Sequence, residues 1–231
     1  NIGVAYSEKI GKLKEGDYVC AEISSFQLET SDTFKPHIAA VLNITPDHLN
    51  RHKTMGNYVA VKEKIFLKQT EEDFTILNKN DEYCVKMAAK TKGRVFFFSS
   101  TEKLDEGIYL DNDNIHIKWN NFDEDVISVN ELKILGTHNY ENVMAAVACS
   151  VCAGVSLDDI RKVLKDFNGV EHRIEYCGTF GGVDYYNDSK GTNPDASIRA
   201  VLAMRKPIVL IGGGYDKDSV YDEWVKLFKG R

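Results

Sequence analysis

Two strings in the first fifty residues carry side chains that could do chemistry together. Glu22-Ile-Ser-Ser-Phe-Gln-Leu-Glu29 follows the apolar run Tyr18-Val-Cys-Ala21, and Asn43-Ile-Thr-Pro-Asp-His-Leu-Asn50 follows His37–Leu42. Ligands of open parallel sheets bind beyond the carboxyl ends of the strands, so neighbouring strands here would turn Glu22 and His48 into one crevice. A carboxylate beside an imidazole suits Mg²⁺ or phosphate chemistry. Either residue alone reads as a hydrogen-bonded loop side chain. A third candidate is Lys62. On a helix over 54–69, Tyr58, Ile65, Phe66 and Gln69 lie within about 60° of it, whereas Lys64 points the other way. A desolvated lysine loses basicity, and its neutral amine can act as nucleophile, base or carbamate former. The alternative is a long stem snorkelling out of an apolar stripe.

Three further loops have the composition of ligand sites. Asn187-Asp-Ser-Lys-Gly-Thr-Asn193 joins a strand to a helix, with Asn193 as N-cap and Pro194 at its first position. The N–H groups of such a start favour an anion, which Asp188, Lys190 and Thr192 would surround. Ile211-Gly-Gly-Gly-Tyr-Asp-Lys217 is glycine-rich but matches neither G-x-x-x-x-G-K-[ST] nor G-x-G-x-x-G, and a tight turn explains it as well. Gly136-Thr-His-Asn-Tyr-Glu-Asn142 opens a helix with Asn139 and Asn142 on one face. Two amides there fit the hydrogen-bonding edge of adenine, or the segment simply caps its helix through Thr137 or His138.

The elements that must hold these residues alternate along the chain. Asp17–Ile23, His37–Ile44, Asp73–Asn78 and Arg94–Ser99 read as strands, with helices over 2–13, 54–69 and 81–90. This rhythm predicts an α/β fold, a mostly parallel sheet with flanking helices. Ile108–Leu110 and Ile115–Trp119 flank Asp-Asn-Asp-Asn, a hairpin signal, and helices follow at 139–153 and 157–167, the second capped by Ser156. After Glu171 the βαβ rhythm restarts: strands at Ile174–Cys177, Val183–Asn187 and Ile208–Ile211, helices at 194–204 and 219–228. We therefore expect a partial central domain over 1–171 and the first half of a Rossmann-like domain over 172–231.

Composition narrows the function classes. With 231 residues, 43% hydrophobic and 28% charged, the chain can bury a full core. Its net charge of −6 and lack of a basic stripe speak against nucleic acid as a partner. The longest apolar stretch, Val143–Val155, is too short to span a bilayer, and no secretory signal opens the chain, so no membrane partner is expected. Five cysteines, an odd number scattered through apolar segments, predict reduced thiols and a cytoplasmic setting. Cys149-Ser-Val-Cys152 lies within a helical run without a second pair at zinc spacing, and reads as core thiols. The chain opens on Asn1 rather than Met, which suggests a fragment.

Taken in order, these strings resemble the Mur ligases, the ATP-dependent amide-bond-forming enzymes of peptidoglycan precursor synthesis. The matching residues are Asn1-Ile-Gly, the Glu22–Glu29 string, Asn43-Ile-Thr-Pro-Asp-His, Tyr58-x-x-x-Lys62, Gly136-Thr-His-Asn-x-x-Asn142, His172-Arg173 and Asn187–Asn193. Glu-x-Ser-Ser-Phe-Gln and Asn-Asp-Ser-Lys are characteristic of members that add D-glutamate. The resemblance implies that Glu22 holds the Mg²⁺ bridging the ATP phosphates and His48 a second Mg²⁺. Lys62 would be carbamylated by CO₂ and help organise that second metal. Asn139, Asn142, Arg173, Asp188 and Lys190 would serve ATP; Asn1, Ser24 and Gln27 the muramoyl precursor; Lys190, Thr192 and Lys217 phosphate and D-glutamate. The implied substrates are ATP, D-glutamate and UDP-N-acetylmuramoyl-L-alanine, joined through an acyl phosphate. The family's glycine-rich phosphate loop and uridine-binding domain would precede Asn1, and the rest of the last domain would follow Arg231, so the 231 residues alone are expected to be inactive. His52 and Asn50 depart from the family's common Tyr and Asp. A sibling such as folylpolyglutamate synthetase, or a non-catalytic nucleotide-binding module, is the competing reading. Oligomeric state is not legible.

Overall fold

The computed structural model describes residues 4–215 and 221–228. Its framework divides into two units, Asn1–Val95 and Phe96–Arg231. The first unit begins with α1 (Tyr6–Lys9), a 3₁₀ turn at Ile10–Lys12, and an extended stretch leading into α2 (Ser25–Glu29). The helix expected over 2–13 shrinks, within the described residues, to these two turns. Val4, Tyr6 and Ile10 are all exposed, and a helix this short does not persist without a buried face. The strand expected at Asp17–Ile23 does not form: the segment enters no ladder among the described residues, and Tyr18 remains 75% exposed.

From β1 (Ile38–Val41) the pattern behaves as expected. It is followed by α3 (Leu49–His52), α4 (Met55–Glu63), β2 (Phe74–Asn78) and α5 (Glu82–Met87). β1 and β2 pair in parallel, Ile38 opposite Phe74 and Val41 opposite Leu77, and bury Ala39, Val41, Ile76 and Leu77. The chain beyond α4 continues as turns that bury Phe66 and Gln69. The Gln69 amide donates to the carbonyls of Pro36 (3.0 Å) and Phe74 (2.9 Å) and accepts from the Thr75 hydroxyl at 2.7 Å. Beside it, the Asp73 carboxylate accepts from the Thr70 N–H (2.7 Å), the Thr70 hydroxyl (3.0 Å) and His37 Nδ1 (3.0 Å), and pairs with Lys35 Nζ at 3.0 Å.

The boundary between units falls inside β3 (Arg94–Ser99), which precedes β4 (Gly107–Asp111), β5 (Asn114–Trp119) and β6 (Phe122–Ser128). From β3 onward the strands lie side by side in chain order. β3 and β4 are parallel, while β4–β5 and β5–β6 are antiparallel, so the expected α/β sheet carries the expected hairpin, turned at Asn112 with φ 53. β6, an edge strand rich in acidic residues, was not anticipated. Its hold on the sheet includes His116 between Asp123 (3.0 Å) and Asp125 (2.8 Å), and a register shift that leaves Val126 unpaired between Asp125 and Ile127. Next come α6 (Thr137–Cys152) and α7 (Leu157–Asp166), the latter capped by Ser156 as expected.

Arg161 on α7 closes the irregular edge. Its guanidinium donates to the backbone carbonyls of Asp125 (2.8 Å) and Val126 (3.1 Å) and to the carboxylates of Glu124 (2.5 Å) and Asp158 (3.1 Å). Carbonyls of an edge strand otherwise invite another strand. Arg161→Ala should therefore lower stability by about 1–2 kcal/mol, the scale of charge-assisted hydrogen bonds on a partly exposed site, and increase self-association. Urea midpoints and light scattering check both; an unchanged scattering profile would remove the edge-sealing role.

The remaining elements are β7 (Glu175–Phe180), β8 (Val183–Asn187), α8 (Pro194–Ala203) and α9 (Asp222–Lys226). The expected βαβ restart is corrected at its start. β7 and β8 form an antiparallel hairpin, because Gly181-Gly182, at φ 57 and 80, is too short a link for a crossover. Asn193 caps α8, with Pro194 at its first position, as expected. Ile208–Ile211 is not a strand: it finds no ladder partner among the described residues and leaves Val209 and Ile211 more than 90% exposed (92% and 94%). The helix expected over 219–228 reduces to α9, positions 219–220 lying outside the described residues. No disulfide joins the five cysteines, and no described helix is long and apolar enough to cross a membrane.

Candidate active site

The first unit brings Glu22, Ser24, Gln27, His48 and Lys62 onto adjoining segments, though not by the route the strand pattern suggested. Ser24 and Gln27 form a capping box on α2. Gln27 N–H donates to Ser24 Oγ (3.3 Å), and Ser24 N–H donates to Gln27 Oε1 (2.9 Å). The helix thus starts immediately after Glu22-Ile23, and Phe26 projects from its first turn. His48 precedes α3 in a left-handed conformation (φ 53, ψ 24), its N–H donating to Asp47 Oδ1 at 2.7 Å. Phe26 lies 4.9 Å from the His48 ring, centroid to centroid.

Lys62 is half-buried on α4, with Nζ 5.3 Å from the centroid of the buried Tyr58 ring. Burial lowers its pKa from the ordinary lysine value, against the opposing pull of Asp47, Cys84 and Glu22. Tyr58 is raised by burial and by Asp47, and the Cys84 thiol is pushed up to about 12 by burial and by Asp81. Lys64, as expected, turns elsewhere and donates to the Glu29 carbonyl at 2.8 Å. Lys62 therefore sits in the field of two carboxylates, Glu22 and Asp47, and against the Tyr58 ring, whose centroid lies 6.5 Å from that of the His48 imidazole. Oxygen donors of this kind suit a hard cation such as Mg²⁺. No three carboxylate, imidazole or thiol side chains converge on one point among the described residues. Asp47 was not singled out from sequence, and the buried His52 stood out only as a departure from the family's common Tyr. Asp47 stands inside the Asn43–His48 string, the one signal that could have flagged it.

The second unit holds the remaining candidates in two places. Gly136, at φ 97, precedes α6, and a side chain there would meet Ala203 Cβ at 2.8 Å. Asn139 spends its amide on the Leu135 carbonyl at 2.7 Å, closing the turn before the helix, while Asn142 is exposed one turn on. The other place is the loop after β8, tied to the segment before β7. Asp188 Oδ1 accepts the Ile174 N–H at 3.0 Å, Lys190 N–H donates to the His172 carbonyl at 2.9 Å, and Asn187 Nδ2 lies 2.9 Å from His172 Nδ1. Arg173, Asp188 and Lys190 are therefore gathered in one loop cluster, with Arg173, Lys190 and Thr192 exposed. Asn1 and Lys217 lie outside the described residues.

Residues 2–150 match the Mur ligase middle domain. The chain belongs to the Mur ligase family. Among Mur ligases, it is 50% identical over 228 residues to the UDP-N-acetylmuramoylalanine--D-glutamate ligase of Lachnoclostridium phytofermentans, covering 99% of this chain and 50% of that protein. It is 49% identical over 231 residues to the enzyme of the same name from Thermoanaerobacter pseudethanolicus, covering all of this chain and 51% of that one. The chain thus spans about half the length of the curated relatives it matches. A solved Mur ligase, MurF from Acinetobacter baumannii, shares the fold with a TM-score of 0.57 at 23% identity, over 74% of this chain and 38% of that one.

Proposed function

We propose that these residues form part of an ATP-dependent ligase that adds D-glutamate to UDP-N-acetylmuramoyl-L-alanine in the bacterial cytoplasm, during peptidoglycan precursor synthesis. The observation that carries the reading is identity of about half the residues, across the whole chain, with relatives named for that ligation. The Lys62 environment supports it: a half-buried amine against the Tyr58 ring, in the field of Glu22 and Asp47, is suited to chemistry in which negative charge gathers.

In this reading Glu22 would hold one Mg²⁺ and His48, helped by a carbamate on Lys62, a second, and these ions would supply neutralisation of phosphate charge. The carbamate forms when the neutral Lys62 amine attacks CO₂ and sheds one proton, turning a cation into an oxygen donor. Arg173, Asp188 and Lys190, with Asn139 and Asn142, serve the nucleotide. Asn1, Ser24 and Gln27 serve the muramoyl precursor, and Thr192 and Lys217 the phosphate and D-glutamate. The precursor carboxylate takes the γ-phosphoryl group of ATP, releasing ADP. The D-glutamate amine then attacks the acyl carbon, the tetrahedral intermediate expels phosphate, and the amide remains. Residues 1–171 would belong to the central ATPase domain and 172–231 to the start of a Rossmann-like domain.

A full-length ligase containing this chain should release phosphate with D-glutamate and not with L-alanine, and ¹⁸O placed in the precursor carboxylate should appear in that phosphate. A preference for L-alanine would overturn the acceptor assignment, and phosphate free of ¹⁸O the acyl phosphate. The 231-residue chain by itself, which contains no named phosphate-loop motif, should form no product.

A further inference from the structure

The His52 imidazole joins three segments that carry the candidate site. It is 4% exposed, with Nε2 3.0 Å from Ser25 Oγ, and Ser25 is 3% exposed on the first turn of α2. Its backbone carbonyl accepts from Asn57 Nδ2 and from the Thr54 N–H, both at 2.9 Å, which ties the end of α3 to the start of α4. The ring stacks on Phe26 at 5.7 Å and 16°, and meets Tyr58 at 5.3 Å and 32°. Those two rings in turn meet the site residues. Phe26 touches His48 at 4.9 Å, and Tyr58 meets the edge of His48 at 6.5 Å and carries Lys62 Nζ at 5.3 Å.

A buried aliphatic side chain could fill this volume, but it would not set the angle of its neighbours. A planar ring with one edge hydrogen-bonded inside the core has its rotation fixed, and the rings stacked against it inherit that orientation. We propose that His52 is a positioning residue: through its hydrogen bond to Ser25 it orients Phe26 and Tyr58, and through them His48 and the Lys62 amine. Its bearing on catalysis rests on the ligase reading; the ring geometry itself does not.

The test uses the 231-residue chain without nucleotide or substrate, so failure of the ligase reading leaves it intact. Ser25→Ala keeps every ring and removes only the hydrogen-bond partner; His52→Phe keeps a flat ring and removes the bond from the other side. NMR of ¹³C-labelled His, Tyr, Lys and Trp reads the ring-current displacement of His48, Tyr58 and Lys62, with Trp119 as a remote reference and Tm as the measure of packing. Both variants should displace the His48, Tyr58 and Lys62 resonances while Trp119 stays in place. If those three signals keep their wild-type positions and only Tm falls, His52 merely fills space and the proposal is wrong. Should His52→Phe not fold, Ser25→Ala decides alone, because it leaves the stack complete.

Discussion

In a full-length ligase containing this chain, Lys62→Arg should lower turnover about 100-fold or more, the scale of losing one preorganised electrostatic contact. Arginine keeps the positive charge and most of the reach, but a guanidinium forms no carbamate at neutral pH. Lysine at this position differs because burial next to Tyr58 lowers its pKa and raises the share of free amine. The sign matters: an ammonium beside Glu22 and Asp47 competes with Mg²⁺ for their charge, whereas a carbamate adds to it. Lys62→Glu should accordingly bind Mg²⁺ more tightly than Lys62→Arg, though its shorter arm still limits rate. Removing CO₂ should slow the wild-type enzyme, and bicarbonate should restore it. Wild-type turnover in Lys62→Arg would return Lys62 to the role of a snorkelling core lysine.

The second large effect concerns stability. Asp73→Asn should cost about 2 kcal/mol at pH 7, since it removes the charge on which Thr70, His37 and Lys35 converge. Burial pushes the Asp73 carboxyl up, but hydrogen bonds from the Thr70 N–H, His37, Lys35 and the Thr70 hydroxyl outweigh it and hold the pKa well below the usual carboxylate range. A carboxyl depressed in the folded state stabilises the fold above its unfolded pKa of about 4, and the contribution disappears as pH falls toward the folded value. Urea midpoints of wild type and variant should therefore differ at pH 7, and the gap should begin to shrink below about pH 4 and keep shrinking with further acid. A gap that persists undiminished in acid would mean that the carboxylate charge contributes little.

Much of this architecture was legible because apolar runs and caps are local signals. β1, β2 and β3 appear as Val-, Ile- and Phe-rich stretches, and Ser156 and Asn193 mark the helix starts that they do cap. The misreadings share one cause. Asp17–Ile23 and Ile208–Ile211 have strand composition, yet a strand exists only where a neighbour supplies the ladder. β6 is the converse: Asp123-Glu124-Asp125 argues against a strand, and pairing with β5 together with Arg161 overrides it. The site divides along the same line. Glu22, His48 and Lys62 stood out by type and spacing, and so did the Ser24–Gln27 string, though its capping role lay in geometry. The Ser25–His52 bond joins residues 27 positions apart, and no periodicity announces such a contact.

His48 pays a conformational cost that has evolutionary weight. At φ 53 its backbone occupies the left-handed region, which costs a residue bearing a Cβ about 1 kcal/mol and costs glycine almost nothing. Selection for stability alone would drift position 48 toward Gly or Asn, each of which would relax the turn and discard the imidazole. A screen for thermally hardened variants of this chain should therefore enrich substitutions at that position which fold better and lack the imidazole. Under the proposed ligase reading, retention of a histidine there would measure how strongly function opposes that drift, and stability engineering of this domain would have to hold the position fixed by hand.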